Sequence, residues 1–153
     1  LKKDYPDNLE VRHYSEFFLP LIQSGQLKPA KALDNTEIYT YHDPCYLGRH
    51  NGIYEAPRQI LASIPGIKTV EMETNRDRSF CCGGGDINLW YDIEEEEMRM
   101  GEKRVRMAHD AGATVIVTAC PFCLLNFDDA IKTSGLEGKL KVVDLMELVM
   151  STL

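Results

Sequence analysis

Hydrophobic and polar residues recur along this chain with two different periods, and each change of period marks a new element. Thr36 to Tyr41 is β-branched and aromatic and runs into Asp43-Pro44-Cys45, where proline ends regular structure. The pattern predicts a strand with Cys45 just past its end. Ile53, Ala56, Pro57, Ile60, Leu61 and Ile64 then recur at helical spacing and Pro65-Gly66 supplies a stop, so a helix of about two to three turns follows. Lys68 to Met72 reads as a second strand, leading through the polar Asn75, Arg76, Asp77 and Arg78 into a loop, Phe80-Cys81-Cys82-Gly83-Gly84-Gly85. Asp92 and the run Glu94 to Glu97 suit the positive end of a helix dipole, and Met98, Gly101, Val105, Ala108 and Gly112 form the buried stripe of that helix.

Thr114 to Thr118 is a β-branched run of the kind that fills a buried parallel strand, and Ala119-Cys120-Pro121-Phe122-Cys123 follows it at once. Proline suits the first helical position, so the C-x-x-C is predicted on the opening turn of a helix that continues to about Lys132. Lys141 to Val143 is a final strand, and Asp144 with Glu147 three residues on signals the capping box of a terminal helix. From residue 36 the order is strand and helix in alternation. That order predicts an α/β fold: a Rossmann-like parallel sheet with right-handed crossovers and helices on both faces. Residues 1–35 fit the alternation less well and read as an N-terminal helical or linker segment before a domain over 36–153. Within it, Val11 to Phe18 loosely echoes Val142 to Val149, as the tail of a preceding similar unit would.

Composition narrows the class of molecule. At 153 residues and 44% hydrophobic, the chain can build a core without disulfide staples. An odd count of five cysteines with no secretory leader points to a reducing, cytoplasmic setting, with any membrane association peripheral and supplied by the parent protein or a partner subunit. Leu1 is not an initiator, so the chain reads as a processed product or a fragment. No stretch has the apolar length of a membrane span. A formal net charge of −7, with Lys and Arg interspersed among acids, argues against nucleic acid as a partner.

The cysteines carry the chemistry. Cys45 and Cys81 are separated by 35 residues, Cys82 and Cys120 by 37, and the set falls as one single, one adjacent pair and one C-x-x-C. Each group follows a different predicted strand, and ligands in such folds collect at the carboxyl ends of the strands, so the five thiols are expected in one crevice. Buried thiols can be mere small hydrophobes, but a Cys-Cys-Gly-Gly-Gly loop and a Cys-Pro-Phe-Cys turn are not how cores are filled. Structural zinc, docking subunits together, could take Cys45, one of the adjacent pair, Cys120 and Cys123, with a fifth thiol left over. A metal-free dithiol reductase could work through Cys120 and Cys123 at the helix start, leaving Cys45, Cys81 and Cys82 unexplained. An iron-sulfur centre uses all five, since adjacent thiolates can ligate different irons. Gly83, Gly84 and Gly85 would let backbone N–H groups approach its sulfides. The glycine run lacks the Lys-Ser/Thr ending of a P-loop and the spacing of a dinucleotide fingerprint. Near Cys45 lie His42, Asp43, Tyr46, Arg49 and His50, while Asn88, Trp90 and Asn126 follow the other motifs. For most of these a surface or supporting place is the simplest reading. His42 and Arg49 stand out, because a thiolate-rich pocket gains from donors and cations.

Taken together, His42-Asp43-Pro44-Cys45-Tyr46-Leu47-Gly48-Arg49, Tyr54-Glu55-Ala56-Pro57-Arg58, Phe80-Cys81-Cys82-Gly83 and Cys120-Pro121-Phe122-Cys123 resemble the cysteine-rich (CCG) domain of the heterodisulfide reductase family, as found in its B-type and D-type chains. Related iron-sulfur subunits occur in glycolate oxidase, lactate-utilisation and anaerobic glycerol-3-phosphate dehydrogenase complexes. The resemblance runs from about residue 36 to the end. It implies an oxidoreductase subunit in which Cys45, Cys81, Cys82, Cys120 and Cys123, with Gly83 and Gly84 against the sulfides, hold a noncubane [4Fe-4S] cluster. Catalysis at Cys81 and Cys82 would then be cluster-mediated, a disulfide or another two-electron couple meeting one-electron carriers. It further implies other oxidoreductase subunits or a preceding ferredoxin-like domain as partners, and a disulfide, quinone or soluble electron carrier as the redox partner, so the chain alone is not expected to turn over. Some members of the family are associated with zinc, and an isolated fragment can be apo. The loop Gly83-Gly84-Gly85-Asp86-Ile87-Asn88 departs from the longer glycine run of many members, which bears on contacts around the metal more than on its ligands.

Overall fold

In the computed structural model, which describes residues 10–85 and 98–153, Tyr39–Tyr41 forms β1, Val115–Thr118 forms β2 and Lys141–Asp144 forms β3. The three pair in parallel in the order β1-β2-β3, with Thr40 opposite Ile116 and Val117 opposite Val143. Residues 115–118 are buried throughout, as a strand covered on both faces must be. The helices are α1 (Tyr14–Gln23), α2 (Glu55–Ala62), α3 (Met100–Asp110), α4 (Pro121–Thr133) and α5 (Leu145–Met150). Tyr39, Tyr41, Val115 and Val117 pack with Ile60, Leu61, Leu145 and Val149 of α2 and α5 on one face, where α1 adds Phe18 and Ile22. Ile116 points the other way, into Val105 and Ala108 of α3 and Phe127, Ala130 and Ile131 of α4. The α/β architecture follows from this alternation: each apolar face of the sheet is closed by its own helical layer.

The predicted strand over Lys68 to Met72 shrinks to a single bridge. Tyr39 N donates to Lys68 O at 2.8 Å and Val70 N to Tyr39 O at 2.9 Å. The pairing stops there because the next side chain, Glu71, turns aside to bind Arg58 at 2.6 Å while Met72 dives into the second core. The segment still lies outside β1, so the spatial order is 68–70, β1, β2, β3. The chain thus leaves β1 first to one side and later to the other, which makes the carboxyl ends of β1 and β2 the switch point where α/β sheets open a crevice.

Two expectations about helix three are corrected. Gly112 lies beyond its end, with φ of +84° in the left-handed region that stops a helix at glycine, and Met98 precedes its first turn. Its buried stripe is Gly101, Arg104, Val105 and Ala108, a charged residue among small ones. The expected helix start at Asp92 and Glu94 to Glu97 lies outside the described residues, as do Asn88 and Trp90.

The predicted helix starts at Pro121 and Asp144 are found, but the capping box expected at Asp144 is half formed: Glu147 offers its backbone N–H there and no side-chain bond back to Asp144 N. Pro121 opens α4 with Cys120 as its N-cap, and the Asp144 side chain accepts from Met146 N at 2.7 Å and Glu147 N at 3.3 Å to start α5. His13 does the same for α1: its Nδ1 accepts from Ser15 N and Glu16 reaches back to His13 N at 3.2 Å. His13 and Asp144 are the aligned positions of the internal echo, so both helices begin at the same place in it. α1 packs against α2, and Ala30 N and Lys31 N donate to Thr152 O at 2.8 and 2.9 Å, tying this segment to the chain's far end.

Candidate functional site

The sheet delivers three cysteine-bearing turns to its carboxyl edge. β1 leads into His42, whose N donates to Val117 O at 2.8 Å, and the chain then turns through Pro44 and Cys45. β2 ends in Thr118, and Cys120 caps α4. Between them the irregular 71–85 segment brings Cys81 and Cys82 back to the same place. All five cysteines are free thiols, with Cys82 and Cys123 buried and Cys45, Cys81 and Cys120 half-buried. A nitrogen of His42 and the sulfurs of Cys82 and Cys123 lie within 4.8 Å of one another. His42, Cys45, Arg49, Cys81 and Cys82 line a cleft of about 270 Å³, counting its open mouth, together with Asp43, Arg76, Ser79 and Phe80.

The thiols are electrostatically one group. Cys82 is held far below its ordinary value by hydrogen bonds from Cys123 and Cys81, reinforced by His42 and by Gly84 N at 3.3 Å. Cys81 is pushed up, first by its bond to Cys82 and then by burial, and Cys123 is pushed up by bonds to Cys120 and Cys82. Cys120 is lowered to about 6, chiefly by the Cys123 thiol and then, against the cost of burial, by the N–H groups of Cys123 and Phe122 at the start of α4. Cys81, Cys82, Cys123 and Cys120 therefore form a connected series in which Cys82 is the thiol most favoured as thiolate, and Cys45 lines the cleft beside Cys81 and Cys82.

Glycine is required where the turns meet. Gly83 has φ of +75°, and its N donates to Cys81 Sγ at 3.4 Å. A Cβ on Gly84 would lie 2.8 Å from Phe122 O and 2.8 Å from Asn126 Cβ, so the adjacent-cysteine loop rests directly on the first turns of α4. Asn126 donates its side-chain N–H to Cys82 O, and Gly101 leaves room for that amide.

A buried polar framework holds the three turns in register. Asp43, whose side chain is 1% exposed, accepts both Arg58 Nη1 at 2.6 Å and Nη2 at 2.9 Å, and also Arg76 N at 2.8 Å. Arg76 occupies the left-handed region at φ +55°, and this contact holds it there. Arg58 continues to Glu71 at 2.6 and 3.0 Å, and Arg76 to Glu55 at 2.7 Å. Arg49, read as a cation for the thiolates, lines the cleft but spends its Nη2 on Ser79 O at 3.0 Å, clamping the loop two residues before Cys81. His42 is fully buried and Phe127 meets its ring edge-on at a centroid distance of 4.7 Å.

Sequence reasoning missed Arg104, which is wholly buried beside His42. Its position, three after Gly101 and four before Ala108, puts it on the buried stripe; charge alone disguised it. It also missed the start of α1, where His13 approaches the Ala119 backbone and Tyr14 approaches Asp144 and Cys120, so that burial and then Asp144 push the Tyr14 phenol up. No local pattern announces that contact. Tyr46 and His50 stack loosely at 5.0 Å on the exposed rim.

No described helix is long and apolar enough to cross a membrane. The family model described as the CCG cysteine-rich domain matches residues 39–128, which include all five thiols. The chain is 39% identical over 151 residues to the "Probable iron-sulfur-binding oxidoreductase FadF" of Bacillus subtilis, covering 97% of this chain and 21% of that protein. It is 38% identical over 160 residues to the EtfAB:quinone oxidoreductase of Syntrophomonas wolfei, covering 97% of this chain and 22% of that one. To the D-type chain of the dihydromethanophenazine:CoB–CoM heterodisulfide reductase of Methanosarcina barkeri it is 40% identical over 154 residues, 100% of this chain and 36% of that one. The chain thus spans about a fifth to a third of the length of these relatives.

Proposed function

The chain belongs to the cysteine-rich CCG domain family, and from that premise we propose that it is the iron-sulfur part of a longer oxidoreductase. In this reading Cys45, Cys81, Cys82, Cys120 and Cys123 hold a noncubane [4Fe-4S] cluster. The observation that supports it most is the gathering of five free thiols from three separate turns, four of them linked in series and Cys45 beside them in the cleft. The donor set fits: it is all sulfur, it exceeds the four ligands of a structural zinc, and its adjacent pair can serve different metal atoms. When bound, such a cluster supplies reversible one-electron chemistry.

The remaining work falls to this chain's own residues. Gly83 N and Gly84 N already donate to sulfur, and the N–H groups opening α4 do so at Cys120, so added negative charge is met by fixed dipoles. Asp43, Arg58, Arg76 and Arg49 keep the turns from separating. Phe127, Ile116 and Val105 form the dry wall behind Cys82 and Cys123. The cleft lined by Cys45, Cys81 and Cys82 is where a two-electron partner such as a disulfide would meet the sulfurs. The relatives named above act on a heterodisulfide and a quinone; this chain's partner is of the same broad kind, with a soluble carrier as the third choice. We place it in the cytoplasm as a subunit or domain working beside other oxidoreductase parts, residues 36–153 being the cysteine-rich unit and 1–35 the tail of a similar preceding one. The shared cap position of His13 and Asp144 supports that division.

Anaerobic reconstitution with iron and sulfide tests the reading. A brown protein with iron and acid-labile sulfide in equal amounts is expected, and serine at any one of the five cysteines should lower both. A colourless protein holding one tight zinc and no sulfide would make the domain a structural zinc unit instead. Disulfide reduction that survives serine at Cys45, Cys81 and Cys82 would make it a thiol reductase.

A further inference from the structure

His42 sits where a metal ligand would, with a ring nitrogen, Cys82 Sγ and Cys123 Sγ mutually within 4.8 Å. The arrangement of protons around it says otherwise. Arg104 Nε donates to His42 Nδ1 at 3.2 Å. A guanidinium has only donors, so Nδ1 presents a lone pair and cannot carry a proton of its own. The proton of a neutral imidazole then sits on Nε2. That atom is buried and has no hydrogen-bond partner among the described residues, while the ring as a whole shares its pocket with Cys82 and Cys123, one of its nitrogens lying within 4.8 Å of both sulfurs. A metal at Nε2 would demand the opposite: it would take the Nε2 lone pair and move the proton to Nδ1, against the Arg104 N–H.

Arg104 cannot easily turn away. It is wholly buried, and its other donors are committed to Thr74 O at 2.8 Å, Thr74 Oγ1 at 3.1 Å and Ser79 Oγ at 3.2 Å. These acceptors are neutral, and Thr74 and Ser79 belong to the segment leading into Cys81. The ring is fixed on its other side by Phe127 and at its backbone by Val117.

We propose that Arg104 is a positioning residue that locks His42 in its Nε2–H tautomer, making His42 a hydrogen-bond donor to the sulfurs at Cys82 and Cys123 and excluding it as a metal ligand. The role toward a loaded cluster rests on the iron-sulfur reading above; the tautomer does not. A donor to ligand sulfur favours the more negative, reduced state, so the pair raises the reduction potential of whatever the cage holds.

The metal-free chain gives the first readout. Long-range proton–nitrogen NMR correlations of the His42 ring should place Nδ1 in the unprotonated range and Nε2 in the protonated range. A protonated Nδ1 overturns the proposal, whether or not a cluster can be assembled. The second readout uses the reconstituted protein and leaves Arg104 in place. His42→Gln keeps an N–H donor and His42→Leu has none. Both should hold the iron and sulfide of the wild type, with the potential of His42→Leu shifted downward and that of His42→Gln between the two. Loss of iron from both variants would show ligation by His42 and sink the idea; so would equal potentials in all three proteins. Failure of every protein, wild type included, to take up iron would defeat the cluster reading and leave the tautomer to the NMR result alone.

Discussion

The two ends of the same three strands are built on opposite principles. At the amino end, Lys141 Nζ pairs with Glu37, Tyr39 OH donates to Glu37 at 2.5 Å, and the exposed Asp34 caps its own turn by accepting from Thr36. Asp34 and Lys141 are exposed and Glu37 is half-buried. At the carboxyl end, Asp43, His42 and Arg104 are buried, and each is held by contacts from more than one segment. Charge at the first end trims the surface. Charge at the second is the framework that keeps three turns in register around the thiols, and removing Asp43 leaves the Arg58 guanidinium without its buried partner.

The sharpest way to expose that contrast is Asp43→Ala. The substitution removes a bidentate partner from Arg58 and the acceptor from Arg76 N at once. A loss of about 3–5 kcal/mol is expected, typical of breaking a buried pair from one side. Denaturant unfolding of the metal-free chain measures it. A loss below about 1 kcal/mol, the scale of an exposed pair, would erase the difference between the two ends.

Next in size is the close approach of backbone at Gly84. An added methyl would collide with Phe122 O, a backbone atom, so Gly84→Ala forces the loop off α4 and should cost about 1–3 kcal/mol, the usual penalty of overpacking. Gly85→Ala is the matched control, since nothing lies within 4 Å of its would-be Cβ. Equal stability and equal iron uptake in the two variants would mean that the loop does not rest on α4 as described.

Much of this end is legible in the chain alone. The β-branched run ending at Thr118, the proline after Cys120 and the Asp144 cap are local signals, and local signals translate into local structure. The convergence of Cys45, Cys81 and Cys120 is legible too, because parallel crossovers send every strand's carboxyl end the same way. Three things are not. Lys68 to Met72 has strand composition, but the attraction of Glu71 for Arg58 ends the ladder, and that partner lies 13 residues away. Arg104 hides in a stretch of basic residues that includes the exposed Arg106; its register with Gly101 and Ala108 marks it as buried. The approach of Tyr14 to Cys120 is set by how α1 lies on α2, a packing fact that no single segment encodes.

The smallest effect is expected at Glu37, and its pH dependence has a definite sign. The hydrogen bond from Lys141, and after it that from Tyr39, hold the Glu37 carboxyl below its ordinary 4.5. A carboxyl with a depressed folded value contributes stability that is fully present above the unfolded value and is lost as pH falls through the folded one. Glu37→Gln should therefore cost less than about 1 kcal/mol at neutral pH, as exposed pairs do. The gap between variant and wild type should close as pH drops below about 4.5 and be gone once Glu37 is protonated in the folded chain. Unfolding curves collected from pH 7 to pH 3 check this. A gap that widened with acid would mean that the carboxylate is held up rather than down, and that the two ends do not differ in the way their burial implies.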